Sequence, residues 1–140
     1  MKHGMIGLSA KTYHRGHDSL VRMAIKECDD VSVYVSATDR VRPNEAPVLW
    51  RDMEPLWRKH IEPSYGEKAK VAYGGSPIRK IYEAIGAENE AGSEDTYVIY
   101  SDPEDLERNF PPQALERYAG DLYAKGRIIL EPIQRTATCQ

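Results

Sequence analysis

Met5–Ser36 reads MIGLSAKTYHRGHDSLVRMAIKECDDVSVYVS, and the change of hydrophobic period along it decides the fold class. Met5 to Ser9 is short and apolar, which suits a strand buried in a parallel sheet. From His17 onward Leu20, Met23, Ala24 and Cys28 recur at helical spacing, and Val21 and Ile25 widen the stripe. Asp18 and Ser19 fall in the first turn, where an acid and a small hydroxyl favour a helix start. Asp30 to Ser36 alternates and is rich in β-branched residues, the pattern of a second strand. Strand, helix and strand joined by short links make a βαβ unit, whose crossover is expected to be right-handed.

The same reading extends outward. Leu49, Met53, Leu56, Trp57, His60 and Ile61 predict a helix that Pro55 kinks or divides. Pro63 to Gly66 predict a turn, and Lys70 to Gly74 a third strand. Gly75-Ser76-Pro77 open a helix with proline at its first position. Its apolar face is Ile78, Ile81, Tyr82 and Ile85, and Gly86 is its expected C-cap. Ala87 to Asp95 is acidic and reads as a surface loop. Thr96 to Tyr100 is the fourth strand, ended by Ser101-Asp102-Pro103, which caps a short helical turn running to Asn109. Gln113 to Ala124 is helical, with Leu115, Tyr118, Ala119 and Leu122 on one side. Arg127 to Leu130 is a fifth strand, stopped by Glu131-Pro132. Strands alternating with helices predict an α/β fold: three layers around a five-stranded parallel sheet, in one domain spanning residues 1–140.

Composition narrows the function classes. The 140 residues are 41% hydrophobic and 29% charged, ordinary for a globular protein, and the net charge of −3 leaves no electrostatic footprint for nucleic acid. No apolar run approaches the ~20 residues that span a bilayer, and the start lacks a signal peptide's apolar core. Cys28 and Cys139 have no paired spacing, so neither a disulfide framework nor a zinc ribbon is indicated, and the cytoplasm is the expected compartment. Nine tyrosines and two tryptophans stand against the single Phe110, so rings with polar handles line either a half-open cleft or the core edges. His3 and His60 carry no discernible role, and Arg79 and Lys80 read as a solvated face.

Ligands of open parallel sheets bind beyond the carboxyl ends of the strands. The loops leaving those ends are Ser9–Gly16, Ser36–Pro43, Gly74–Pro77 and Ser101–Pro103. The first holds Ser9, Lys11, Thr12, His14 and Arg15, with His17 entering the helix. Two imidazoles, a lysine and helix-start N–H groups are suited to a triphosphate and to charge building on its bridging oxygens. Arg40 and Arg42 on the second loop could meet the same phosphates, and Asp102 a ribose hydroxyl or a metal-bound water. A zinc reading of His14, His17 and Cys28 fails, because at ~1.5 Å per helical residue Cys28 lies about 16 Å from His17. Trp50 and Trp57, two turns apart, could stack on a base, with core packing the plainer reading of Trp57.

The run YHRGHDSL, Tyr13 to Leu20, resembles the H-x-G-H signature of the nucleotidyltransferase superfamily of cytidylyltransferases and of nicotinamide-nucleotide and pantetheine-phosphate adenylyltransferases. SATDR at Ser36–Arg40 and YSDPED at Tyr100–Asp105 look like that family's loops after strands two and four. The resemblance implies a Rossmann-like domain that joins an NTP, ATP favoured over CTP, to a small phosphorylated acceptor such as nicotinamide mononucleotide. Pyrophosphate leaves and Mg²⁺ assists. It implies catalytic roles for His14, His17 and Lys11. Nucleotide contacts would come from Ser9, Ala10, Gly16, Ser36, Arg40, Ser101, Asp102, Arg135 and Thr136, and no protein metal ligand is implied.

Two departures bear on it. Lys11-Thr12-Tyr13 replaces the family's aromatic-x-Pro, and Gln134-Arg135-Thr136-Ala137-Thr138 stands where the family has a Ser/Thr-rich turn with a basic residue opening a helix over the phosphates. That tail is a degenerate remnant, or a C-terminal segment is missing, or catalysis has been lost; the expectation is divergence or truncation. The alternative function is a catalytically silent nucleotide-binding or interaction module on the same fold. Homo-oligomerisation stays open.

Overall fold

Alternation along each strand sorts its side chains onto two faces, and helices cover both. The computed structural model describes residues 1–9, 15–37 and 49–133. In chain order the elements are β1 (Lys2–Ser9), α1 (Arg15–Glu27), β2 (Asp30–Ser36), α2 (Trp50–Leu56), a π-helical segment (Trp57–Ile61) and α3 (Glu62–Ser64). There follow β3 (Ala69–Tyr73), α4 (Pro77–Glu90), β4 (Thr96–Ser101), α5 (Pro103–Asn109), α6 (Pro112–Ala124) and β5 (Ile128–Pro132). The five strands form one sheet in the order β3-β2-β1-β4-β5, and every pairing is parallel. This is the three-layer, Rossmann-like α/β arrangement expected from the sequence. Among the described residues no helix is long and apolar enough to cross a membrane.

One face of the sheet carries Ile6, Leu8, Val31, Val33, Val35, Val98 and Tyr100, packed with Leu20, Val21 and Ala24 of α1 and with Trp57 and Ile61. The other carries Met5, Tyr97, Ile99 and Ile128 against Ile81 and Ile85 of α4, Leu106 and Phe110, and Leu115, Ala119 and Leu122 of α6. Strand β1 lies at the centre, and its two glycines set how closely the layers approach. A Cβ on Gly4 would sit 3.3 Å from Cys28 Sγ on one face, and a Cβ on Gly7 would sit 2.9 Å from Pro77 Cβ on the other. The start of α4 therefore packs directly on the backbone of β1.

Several boundaries differ from expectation for identifiable reasons. Strand β1 begins at Lys2 instead of Met5, because parallel pairing with β2 and β4 recruits His3 and Gly4 despite their weak strand pattern. Pro55 does not divide its helix. The Trp57 N–H still reaches the Glu54 and Met53 carbonyls, and the distortion comes afterwards, where the Glu62 N–H donates to Trp57 O across a wider π turn. The helix continues to Ser64 because Trp57, with 0% exposure, and Ile61 anchor it in the core. Removing the Trp57 ring would cost ~3–5 kcal/mol.

Gly86 is not a C-cap. Helix α4 runs on to Glu90, and Gly92, at φ +74°, makes the turn instead. A Cβ on Gly86 would lie 3.3 Å from the Tyr118 carbonyl, so the glycine serves helix–helix contact. Helix α6 is interrupted at Ala119 (φ −144°, ψ 50°), and the Leu122 N–H, which an unbroken helix would direct at Tyr118 O, donates to Asn89 Oδ1 of α4 at 3.0 Å. Tyr118, expected on the core side, is 51% exposed and leans on Tyr82 at a centroid distance of 5.0 Å.

Gly7→Ala tests the close approach. Proline cannot rotate its Cβ away, so urea unfolding should show a loss of about 1–3 kcal/mol, the usual cost of overpacking. Unchanged stability would mean that α4 shifts freely on the sheet.

Candidate functional site

Parallel strands deliver all five carboxyl ends to the same edge of the sheet. The strand order reverses between β1 and β4, which opens the crevice where such folds take ligands. Strand β1 ends at Ser9 on this edge, and Asp102 leaves β4 beside it. Ser9 and Ser36 are direct register partners at the ends of β1 and β2, so the sheet brings these two expected residues together. Ser101 closes β4 in register with Pro132 of β5, and its carbonyl accepts from the Ile133 N–H at 2.9 Å.

Helix α1 begins at Arg15, two residues earlier than the hydrophobic pattern suggested. Gly16 and His17 thus belong to its first turn, whose N–H groups have no carbonyl four residues back within the helix. The side chains of Ser9 and His17 lie outside the described residues, as do Ala10, Lys11, His14, Arg40, Arg135 and Thr136 altogether.

Asp102 is the half-buried N-cap of α5, and its Oδ1 accepts from the Asp105 N–H at 2.8 Å. Proline at the first helical position and Glu104 and Asp105 in the first turn explain why the helix starts there. At the end of β3, Gly74 (φ +103°) and Gly75 (φ +68°) turn the chain into α4, and the Gly74 N–H donates to Val35 O at 2.9 Å. Ser76 caps α4, its hydroxyl accepting from the Arg79 N–H at 3.4 Å. Lys80 folds its stem back over Gly75 and so adds a cation near this end of the sheet, while Arg79 stays in solvent as expected.

Beside the end of β3 stands an aromatic group that sequence spacing indicated only in part. Tyr73, the last residue of β3, tilts against Trp50 at 5.2 Å and meets the edge of Trp57 at 6.3 Å, with the Arg58 guanidinium 4.5 Å from its ring centre. Its hydroxyl donates to Glu62 Oε1 at 2.6 Å. Burial, reinforced by that carboxylate, pushes the phenol well above its ordinary value, so the hydroxyl keeps its proton as a donor to Glu62. Trp57 is core, as the plainer reading had it, and Trp50 is the half-buried ring nearer the surface.

Cys28 is a buried thiol whose Sγ lies 3.4 Å from the Tyr100 oxygen, and burial raises it further from a reactive thiolate. Among the described residues no three His, Cys, Asp or Glu side chains converge as a metal cage.

His3, which sequence reasoning left without a role, is bonded through both ring nitrogens at the opposite, amino end of the sheet. Its Nδ1 lies 2.6 Å from Asp30 Oδ1 and its Nε2 2.8 Å from Asp95 Oδ2, and the ring stacks on Tyr97 at 5.1 Å. The signal was hidden because the partners lie 27 and 92 residues away. The acidic stretch after Ala87 is likewise no bare loop. It is helical through Glu90, Glu88 accepts from the Tyr97 hydroxyl at 3.0 Å, and Asp95 holds His3.

A separate cavity of about 1020 Å³ opens on the helical face between α4, α5 and α6, lined by Arg79, Tyr82, Arg108, Arg117 and Tyr118 among others. It is distinct from the crevice between β1 and β4. No protein-family model matches the chain, and no curated protein matches it at a significant level.

Substitutions at Asp102 separate its two possible duties. Asp102→Ala should lower stability by about 0.5–2 kcal/mol through loss of the cap, whereas Asp102→Asn keeps it. If the asparagine variant, folded normally, also binds MgATP as well as the native chain, the carboxylate has no ligand role.

Proposed function

We propose that the chain is a nucleotidyltransferase of the H-x-G-H type, joining an NTP, ATP before CTP, to a small phosphate-bearing acceptor in the cytoplasm. The observation that carries the reading is a coincidence of motif and topology: His14-Arg15-Gly16-His17 spans the passage into α1 after the central strand of a parallel sheet, at its switch point. An acceptor phosphate oxygen would attack the α-phosphorus, forming a new P–O bond as the bond to the β-phosphate breaks and pyrophosphate leaves. His14, His17 and Lys11 would donate to the phosphate oxygens as charge shifts onto the leaving group. Ser9, Ala10, Gly16, Ser36, Arg40, Ser101, Asp102, Arg135 and Thr136 would hold the nucleotide.

Such transfers depend on positioning and electrostatics rather than on a protein nucleophile. Mg²⁺ is bound mainly by substrate phosphates and water in sites of this type, so the donor set here, with Oδ1 of Asp102 taken by the α5 cap, suits a metal carried in with the triphosphate. When bound, the ion would supply charge neutralisation at the phosphates. The half-buried Trp50 offers a ring for stacking on a planar base.

Incubation of the intact chain with Mg²⁺, ATP or CTP and candidate phosphate esters should release pyrophosphate. His14→Ala and His17→Ala should each lower kcat by about 10²–10³-fold with a smaller rise in KM, as for loss of a transition-state donor. Equal rates in mutants and wild type would remove the site assignment. The second reading, a silent nucleotide-binding module, draws on Arg135-Thr136-Ala137-Thr138 in place of the family's second signature. Calorimetric binding of nucleotide without turnover would favour it, and no binding at all would defeat both.

A further inference from the structure

His3 presents both ring nitrogens to carboxylate oxygens, at 2.6 Å to Asp30 and 2.8 Å to Asp95. An ionised carboxylate accepts and has no proton to give, so both contacts are satisfied together only when both nitrogens carry hydrogen. The ring is four-fifths covered and held flat on Tyr97, so it cannot turn away to water without leaving that stack. The three segments it joins are the start of β1, the start of β2 through Asp30, and the turn into β4 through Asp95. We infer that His3 is a proton-operated latch on the amino end of the sheet, closed as imidazolium and half-released as neutral imidazole.

Neutral imidazole has a single N–H and can donate to one aspartate only, leaving the other facing a lone pair. Asp30 is anchored in β2, whose ladder with β1 runs from His3↔Asp30 to Ser9↔Ser36. Asp95 sits in the turn after α4, so it is the partner that lets go. The surroundings are mixed. Burial of the imidazole opposes its charge, and the bonds to Asp95 and Asp30, with the negative charge of both, outweigh burial and raise it above its ordinary 6.5. From β4 the Tyr97 hydroxyl faces Ser93 of the turn and Glu88 of α4. The Met1 amine meets Asp95 at 3.1 Å, and Asp29 accepts from the Lys2 N–H. Glu67, Lys68 and Lys70 of the β3 side line the same cavity as His3, Asp30 and Asp95.

The pH dependence has a definite sign. A histidine raised in the fold contributes stability that is complete below 6.5 and lost as pH rises through its folded value. The Asp95 carboxyl, held below its ordinary 3.8 by His3 and the Met1 amine, contributes above that value and loses its share as pH falls. The latch is therefore strongest in weakly acidic solution and opens towards alkaline pH.

Nitrogen-detected NMR of the His3 ring, with amide hydrogen exchange across the whole chain from about pH 5 to 9, tests this. The ring should titrate above 6.5, and amides from Ser93 to Asp95 should lose protection beyond the intrinsic base-catalysed increase in step with it, while β1 to β5 stay protected. In Asp95→Asn the titration should fall towards the ordinary value, and in His3→Gln the turn should exchange at the open level without that step. A ring titrating at or below 6.5, a turn whose protection ignores the titration, or loss of the whole sheet together would each overturn the latch.

Discussion

Strand β1 is clamped at contact distance between α1 and α4, and most of the molecule follows from that constraint. Gly4 and Gly7 point to opposite faces, and each lies where a methyl group would press on a helix: on Cys28 and Ala24 of the α1 side, and on Pro77 of α4. With side chains removed at those two points, Ile6, Leu8 and Met5 are the groups that fill the remaining space. A strand covered so closely on both faces must be central, and its neighbours β2 and β4 can then only extend the sheet outward to β3 and β5.

The clamp also decides what lies at each end. Parallel strands end on one edge, so the first turn of α1, the Gly74-Gly75 turn and the Asp102 cap, which follow β1, β3 and β4, belong to that carboxyl edge. The amino edge collects charge: Asp30, Asp95 and His3 meet where the backbone ladder begins. One strand therefore carries a titratable pin at its first residues and leads into a histidine-bearing segment at its last.

Patterns of short range were legible in the sequence. The seven residues of β2 alternate cleanly and lie where the alternation put them, and Ser76-Pro77 and Asp102-Pro103 announced their helices by capping chemistry alone. Failures came where distant partners override local preference. Pro55 is tolerated inside a helix because Trp57 and Ile61 are buried beyond it, and Gly86 is explained by a carbonyl on α6 rather than by a helix end. His3 had nothing near it in sequence to suggest a role, since both aspartates arrive through the fold. The site was legible as a motif and a strand end. Its geometry was not, because the positions of Lys11, His14, Arg40 and Arg135 depend on segments outside the described residues.

The central claim is that nucleotide binds at the β1–β4 crevice. Amide chemical-shift mapping during titration with MgATP, and separately with MgCTP, tests it most directly. The expected shifts cluster at Ser9 to His17, Ser36, Gly74 and Gly75, and Ser101 to Asp102, with the amino edge around His3 unmoved. Shifts confined to the cavity between α4 and α6, or none with either nucleotide at millimolar concentration, would contradict it.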